Sequence, residues 1–101
     1  MSKYKYKVKY SNQFKKNLKK ITKQGKDLDI LLNTIDKLAN NEELDETYYN
    51  HKLKDNKYFK DCWECHLGTT RSDWLLVYQY DYDNLIIIMV NTGSHSELFG
   101  K

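Results

Sequence analysis

The chain changes its hydrophobic period once near its start, at Ser11, and that change limits the folds open to it. Residues 3–10 alternate strictly, with Tyr4, Tyr6, Val8 and Tyr10 on one side and Lys3, Lys5, Lys7 and Lys9 on the other. Period two with aromatic and β-branched residues predicts a half-buried strand. Ser11 or Asn12 then serves as an N-cap. Phe14, Leu18 and Ile21 follow at helical spacing, while Lys15, Lys16, Lys19, Lys20 and Lys23 fill the outer face. Gly25 closes this helix as a glycine just past a helix end does. Asp27 or Asp29 caps a second helix, whose apolar stripe is Leu28, Leu31, Leu32, Ile35 and Leu38 and which ends at Asn40-Asn41. The connection is short, so the two helices are expected to pack as an antiparallel hairpin.

Residues 42–56 show no period and read as a loop that includes Tyr48, Tyr49, His51 and Leu53. Three strands are predicted after it, at about 58–66, 74–82 and 85–92. The turn Asp81-Tyr82-Asp83-Asn84 makes the last two a hairpin. Gly93 breaks the final strand and residues 94–99 form a single helical turn. The order β-α-α-β-β-β predicts one α+β domain over residues 1–101. Its expected core is a mainly four-stranded, antiparallel, twisted sheet with the helix hairpin on one face. The first strand must pair with one of the later three.

A chain of 101 residues has enough length for one core. With 40% hydrophobic and 31% charged residues it reads as globular. No stretch approaches the ~20 apolar residues of a membrane span, and the longest apolar run, residues 85–90, has strand length. The start lacks the continuous apolar segment of a signal peptide. The expectation is a cytoplasmic protein with reduced thiols and no membrane partner. Net charge is only +3, but residues 1–26 carry ten lysines and no acid, and residues 27–46 carry seven acids against one lysine. A basic end suits a polyanion such as nucleic acid, or is simply a solvated surface.

The string Cys62-Trp63-Glu64-Cys65-His66 has the spelling of a haem-attachment motif. On a strand, however, Cys62, Glu64 and His66 share one face, and Trp63 and Cys65 share the other. At about 3.3 Å per residue the cysteines stand roughly 10 Å apart, whereas a disulfide needs Cα atoms within about 7 Å. There is no second cysteine pair and no His pair at zinc-ligand spacing. The cysteines are therefore expected to be packing residues, with neither metal nor cofactor. A second constellation is more informative: His51 in the loop, His66 at a strand end, His95 after the last strand, Asp73 next to Trp74, and Phe99 four residues past His95. Histidine is the side chain best matched to proton transfer near neutral pH. Each of these also has a plain reading: surface histidines, a turn-forming Asp73, a core Trp74 and a Phe99 that anchors the tail.

The strings HKLKDNKYFKDCWECHL, SDWLLVYQYD and LIIIMVNTGSHSELFG resemble the YafQ branch of the RelE/ParE superfamily of bacterial toxins. The shared order is His51-Lys52-Leu53, a strand ending at His66, Asp73-Trp74-Leu75-Leu76-Val77-Tyr78, and Thr92-Gly93-Ser94-His95-Ser96-Glu97-Leu98-Phe99. It covers essentially the whole domain. The resemblance implies a ribosome-dependent messenger-RNA endonuclease of a type II toxin–antitoxin pair. Cleavage would be metal-independent: the 2′-OH attacks the adjacent phosphate, giving a 2′,3′-cyclic phosphate and a 5′-OH. It implies His95 as general acid, Asp73 and His66 as base or base support, and His51 near the phosphate. Trp74 and Phe99 would wall or stack the bases. Lys15, Lys16, Lys19, Lys20 and Lys23 would contact ribosomal RNA, giving strong salt dependence.

The implied partners are the ribosome, messenger RNA and a DinJ/RelB-like antitoxin in a hetero-oligomer. One departure concerns the phosphate: Asn91 stands where the family usually has Arg, and Lys52, Lys54 or Arg71 are the candidates to supply the missing charge. The alternative is a binding protein on the same fold, either a ParE-like gyrase inhibitor or a decayed toxin that retains only antitoxin binding.

Overall fold

The computed structural model describes residues 4–68 and 72–100. The elements are β1 (Lys7–Tyr10), α1 (Asn12–Lys23), α2 (Leu28–Ala39), a 3₁₀ turn (Glu46–Tyr48), β2 (His51–Lys52), β3 (Trp63–His66), β4 (Leu75–Asp81), β5 (Ile86–Gly93) and α3 (His95–Phe99). The helix boundaries follow the capping chemistry. Ser11 Oγ accepts the Phe14 N–H at 2.9 Å, Gly25 adopts φ +77° beyond α1, and Asp27 caps α2 through the Asp29 N–H at 3.0 Å. Ser11 also ties α1 to the sheet, because its N–H donates to the Met89 carbonyl at 3.0 Å and its hydroxyl to the Val90 carbonyl at 2.6 Å.

The sheet has five strands in the order β1-β5-β4-β3-β2. It is mixed, which corrects the expected four-stranded antiparallel sheet: β1 runs parallel to β5, with Val8 opposite Ile87, and the other pairings are antiparallel. The chain between β1 and β5 runs through two helices and three strands, so no tight hairpin forces this pair to be antiparallel. The extra strand, β2, lies within the segment expected to be a loop. Two paired residues are too few to show a period.

The predicted strand over 58–66 is confined to its second half. Residues 58–62 are instead held by Asx hydrogen bonds. Asn56 Oδ1 accepts from the N–H groups of Tyr58 at 2.8 Å and Phe59 at 3.0 Å, and Asp55 Oδ1 accepts from Asp61 at 3.0 Å. Side-chain acceptors of this kind compete with the ladder for backbone donors. Asn84 bonds Asp81 across the β4–β5 turn, as expected for that hairpin.

The two faces of the sheet carry separate cores. On the helix face, Phe14, Ile21, Leu31, Ile35 and Leu38 pack on Cys65, Leu76, Tyr78, Ile87 and Met89. On the other face a smaller cluster joins Phe59, Cys62, Leu75, Val77 and Leu98, with Leu53, Val90 and Phe99 against it. Among the described residues this second face is covered by the 53–62 loop and α3. Both cysteines are free thiols and sit in different clusters, on opposite faces as the alternation requires. Burial pushes the Cys65 thiol up to about 12. In the native protein Cys65 is therefore expected to resist a thiol reagent at pH 8, and both cysteines should titrate after denaturation; rapid native labelling of Cys65 would contradict its burial.

Candidate active site

Strand alternation puts Glu64 and His66 on the second face. The β2–β3 register sets His51 beside Glu64. Glu64 is the centre of this group. It is only 4% exposed, its Oε1 lies 3.7 Å from His51 Nε2 and 4.0 Å from His66 Nε2, and its Oε2 has no hydrogen-bond partner. A buried carboxylate oxygen without a partner among the described residues is costly. The two imidazoles are oriented alike. Nδ1 of His51 donates to the Tyr49 carbonyl at 2.9 Å, and Nδ1 of His66 donates to the Ser72 carbonyl at 3.0 Å. A carbonyl only accepts, so Nδ1 carries hydrogen in both rings and Nε2 is the atom turned to the carboxylate.

His95 enters from the other side, as the first residue of α3. Asp73 Oδ1 accepts its backbone N–H at 3.0 Å and its Nδ1 at 2.8 Å. The His95 ring lies 6.1 Å, centroid to centroid, from that of His66 and 6.0 Å from that of Phe99. Tyr49, at φ +44°, flanks the row with its ring 4.7 Å from His51 and 5.5 Å from His66. The result is a line of His51, Glu64, His66, His95 and Phe99 along this face, running from buried Glu64 and His66 to exposed His95. His66 and His95 meet edge to face, and the Glu64 carboxylate lies close to the Nε2 atoms of His51 and His66.

Among the expected site residues, the structure brings together His51, His66, His95, Asp73 and Phe99. Asp73 stands behind His95 and is engaged in orienting it. Glu64 and Tyr49 belong to the site and were missed. The shared face of Glu64 and His66 was the available signal for Glu64, and adjacency to His51 the only one for Tyr49. Trp74 is 5% exposed and part of the helix-face core, with an edge on the cleft beside Asp73 and Ser94. Its Nε1–H donates to Thr92 Oγ1 at 3.0 Å. Asn91 sits opposite Val77, and its Oδ1 accepts from Asn17 Nδ2 of α1 and from the Thr92 N–H. Lys52 pairs with Asp61 at 2.8 Å, which holds its ammonium above the ordinary lysine value. Lys54 is exposed, and Arg71 lies outside the described residues. Lys15, Lys16, Lys19 and Lys23 are exposed along α1, whereas Lys20 pairs with Glu97. Among the described residues no group of three or more His, Cys, Asp or Glu is arranged to hold a metal ion, and no helix is long and apolar enough to cross a membrane.

This geometry is that of a small toxin of the type II toxin–antitoxin class. Residues 6–100 match the profile described as "Bacterial toxin of type II toxin-antitoxin system, YafQ", and the chain belongs to the YafQ family. It is 31% identical over 95 residues to the mRNA interferase toxin YafQ of Escherichia coli strain B / BL21-DE3, covering 92% of this chain and 95% of the relative. A metal-bound toxin from Helicobacter pylori superposes with a TM-score of 0.83 at 39% identity, over 93% of this chain and 99% of that one. The E. coli DinJ-YafQ toxin–antitoxin complex gives a TM-score of 0.80 at 29% identity, over 95% and 99%.

The Asp73 carboxyl is held below its ordinary 3.8, first by the His95 backbone N–H and next by the imidazole. A lowered folded value means that this contact stabilises the fold at pH above the ordinary carboxyl range and is lost as pH falls through the lowered value. A carboxyl-carbon NMR titration should place Asp73 below 3.8. His95→Ala should leave part of the depression in place, because the larger contribution is the backbone donor; full reversion to the ordinary value would contradict that ordering.

Proposed function

We propose that this chain cleaves messenger RNA on the ribosome by metal-independent acid–base chemistry. The observation that carries this reading is the row of His51, His66 and His95, in which His66 and His95 meet edge to face at 6.1 Å and the buried Glu64 carboxylate lies within 4.0 Å of the Nε2 atoms of His51 and His66. In the proposed step the 2′-OH proton passes to His66 or His51, whose Nε2 atoms share Glu64, while the 2′ oxygen bonds to the adjacent phosphorus. The bond from phosphorus to the 5′ oxygen breaks, and His95 protonates that leaving oxygen. The products are a 2′,3′-cyclic phosphate and a 5′-OH. Asp73 holds His95 Nδ1–H, so Nε2 is the atom available to the leaving group. Exposed Tyr49 and half-buried Phe99 are the aromatics beside the row that would stack on splayed bases. The relative named mRNA interferase toxin supports the substrate class.

Asn91 offers a phosphate no charge, and its carboxamide oxygen is already engaged by Asn17 and Thr92. Loss of one preorganised electrostatic contact typically costs a few kcal/mol of transition-state stabilisation, so the proposed enzyme is slower than one carrying Arg at that position. The partner in this reading is a DinJ-like antitoxin, by analogy with the complex of the E. coli relative, in a cytoplasmic toxin–antitoxin hetero-oligomer. Lys15, Lys16, Lys19 and Lys23 remain the candidates for ribosomal-RNA phosphates.

Expression in bacteria, with mapping of messenger-RNA ends, tests the reading. Wild type should arrest growth and cut messages in the presence of ribosomes. His95→Ala should lower cleavage by about 10²–10⁴-fold. Equal cleavage by the two would overturn His95 as the general acid, whereas arrest accompanied by inhibited gyrase supercoiling and intact messages would favour the gyrase-directed alternative.

A further inference from the structure

Helix α3 carries His95 but has only five residues, too few to sustain helical structure alone. Its orientation must come from what it touches. Two anchors are already described: Asp73 at its first residue, and Leu98, 3% exposed in the second-face core. The third is Glu97, whose two carboxylate oxygens have different partners. Oε1 accepts the Ser94 N–H at 2.8 Å, while Ser94 Oγ accepts the Glu97 N–H at 3.3 Å, closing a capping box. Oε2 lies 2.5 Å from Lys20 Nζ on α1. The stem of Glu97 rests on Gly93, where an added Cβ would come within 3.1 Å of Oε1 and 3.3 Å of the Glu97 Cβ. Gly93, at φ +155°, lets α3 lie this close to β5.

We infer that Lys20 and Glu97 form a strut that positions His95, making both of them positioning residues for the proposed cleavage. The inference rests on the reading of His95 as general acid. The far end of the strut is fixed, since α1 is bonded to β5 through Ser11 and Asn17 and buries Phe14 and Ile21. An ion pair this exposed, with side chains 55% and 30% accessible, contributes little to stability. Its effect is on orientation: it restrains α3 from rocking about the Leu98 contact, and displacements on the order of 1 Å at a reacting group can cost about 10²-fold in rate. Glu97 lines both clefts that flank α3, one of about 460 Å³ floored by Trp74 and Ser94, the other of about 620 Å³ at Asn91 and Tyr58, so the strut also forms the wall between them. The sequence reading of Lys20 as one more ribosomal-RNA contact is the competing role, and the two make opposite predictions.

Lys20→Met, Glu97→Gln and the double variant separate them; Gln keeps an acceptor for the Ser94 N–H while losing the charge. Ribosome-dependent cleavage and ribosome binding are measured across a salt series. The strut predicts that each single change lowers kcat by about 3- to 10-fold, with ribosome affinity and its salt slope unchanged. It further predicts that the double variant is no worse than the worse single and that Lys20→Arg retains activity. An RNA contact predicts the reverse: Lys20→Met weakens ribosome binding and reduces the salt slope by about one at unchanged kcat, and the two changes multiply. Either of those results overturns the strut. Hydrogen exchange reports on the strut without any need for catalysis. The Leu98 and Gly100 amides, which donate to the Ser94 and Ser96 carbonyls, should exchange faster in Lys20→Met, and unchanged exchange would overturn it. If wild type cleaves no RNA, the proposed function fails while the exchange result still decides the strut.

Discussion

Strand β5 is hydrogen-bonded on both edges, parallel to β1 and antiparallel to β4, and the rest of the molecule is registered against it. Ile87 and Met89 are fully buried beneath the helix hairpin. The carbonyls of Met89 and Val90 receive Ser11 and so fix where α1 begins. Thr92 receives the Trp74 indole and donates its hydroxyl to the Leu75 carbonyl, and Gly93 hands the chain to α3. The apolar run at residues 85–90 is thus the structural centre, and its polar end is where helix, sheet and site are joined.

The two faces of the sheet divide the work. The helix-covered face holds the larger core, including the buried thiol of Cys65 and the indole of Trp74. The other face has a thinner cover and leaves room for a row of titratable groups. Because side chains alternate, the same four-residue strand serves both: Trp63 and Cys65 stabilise, while Glu64 and His66 line the site. A haem-like spelling is what this division of labour produces by coincidence. Burial explains both cysteines, Cys65 under the helices and Cys62 in the smaller cluster on the other face, and the histidine belongs to the row beside that second cluster.

The helices were legible because their signals are local. Ser11, Gly25, Asp27 and Asn40-Asn41 act within a turn of themselves, and the structure uses all of them. The direction of β1 was not legible, since it depends on a pairing between residues nearly eighty positions apart. The loop over 58–62 was obscured by its aromatics, which favour strand by propensity while Asp55 and Asn56 claim the backbone donors. In the site, three histidines and an Asp-Trp pair could be found by type and order. The role of Trp74 could not, because an indole reads alike in a core and in a binding wall until its N–H partner is seen. Glu64 and Tyr49 were hidden for another reason: their meaning arises from cross-strand neighbours. Lys20 looks identical to the lysines beside it until α3 is placed.

The string from Thr92 to Phe99 looks like a signature of catalysis, yet most of its letters serve geometry. Thr92 seats an indole, Gly93 admits a neighbouring carboxylate, Ser94 and Glu97 close a cap, and Leu98 fills a core. His95 and Phe99 contribute their rings to the row on the second face of the sheet. Under the proposed function, family membership and enzymatic competence are written in different residues of one short segment. A descendant could then lose the reaction by a single exchange while keeping the fold, the capping box and almost the whole recognisable string. Resemblance along this segment measures how faithfully a helix is mounted, and chemistry is a property of what is mounted on it.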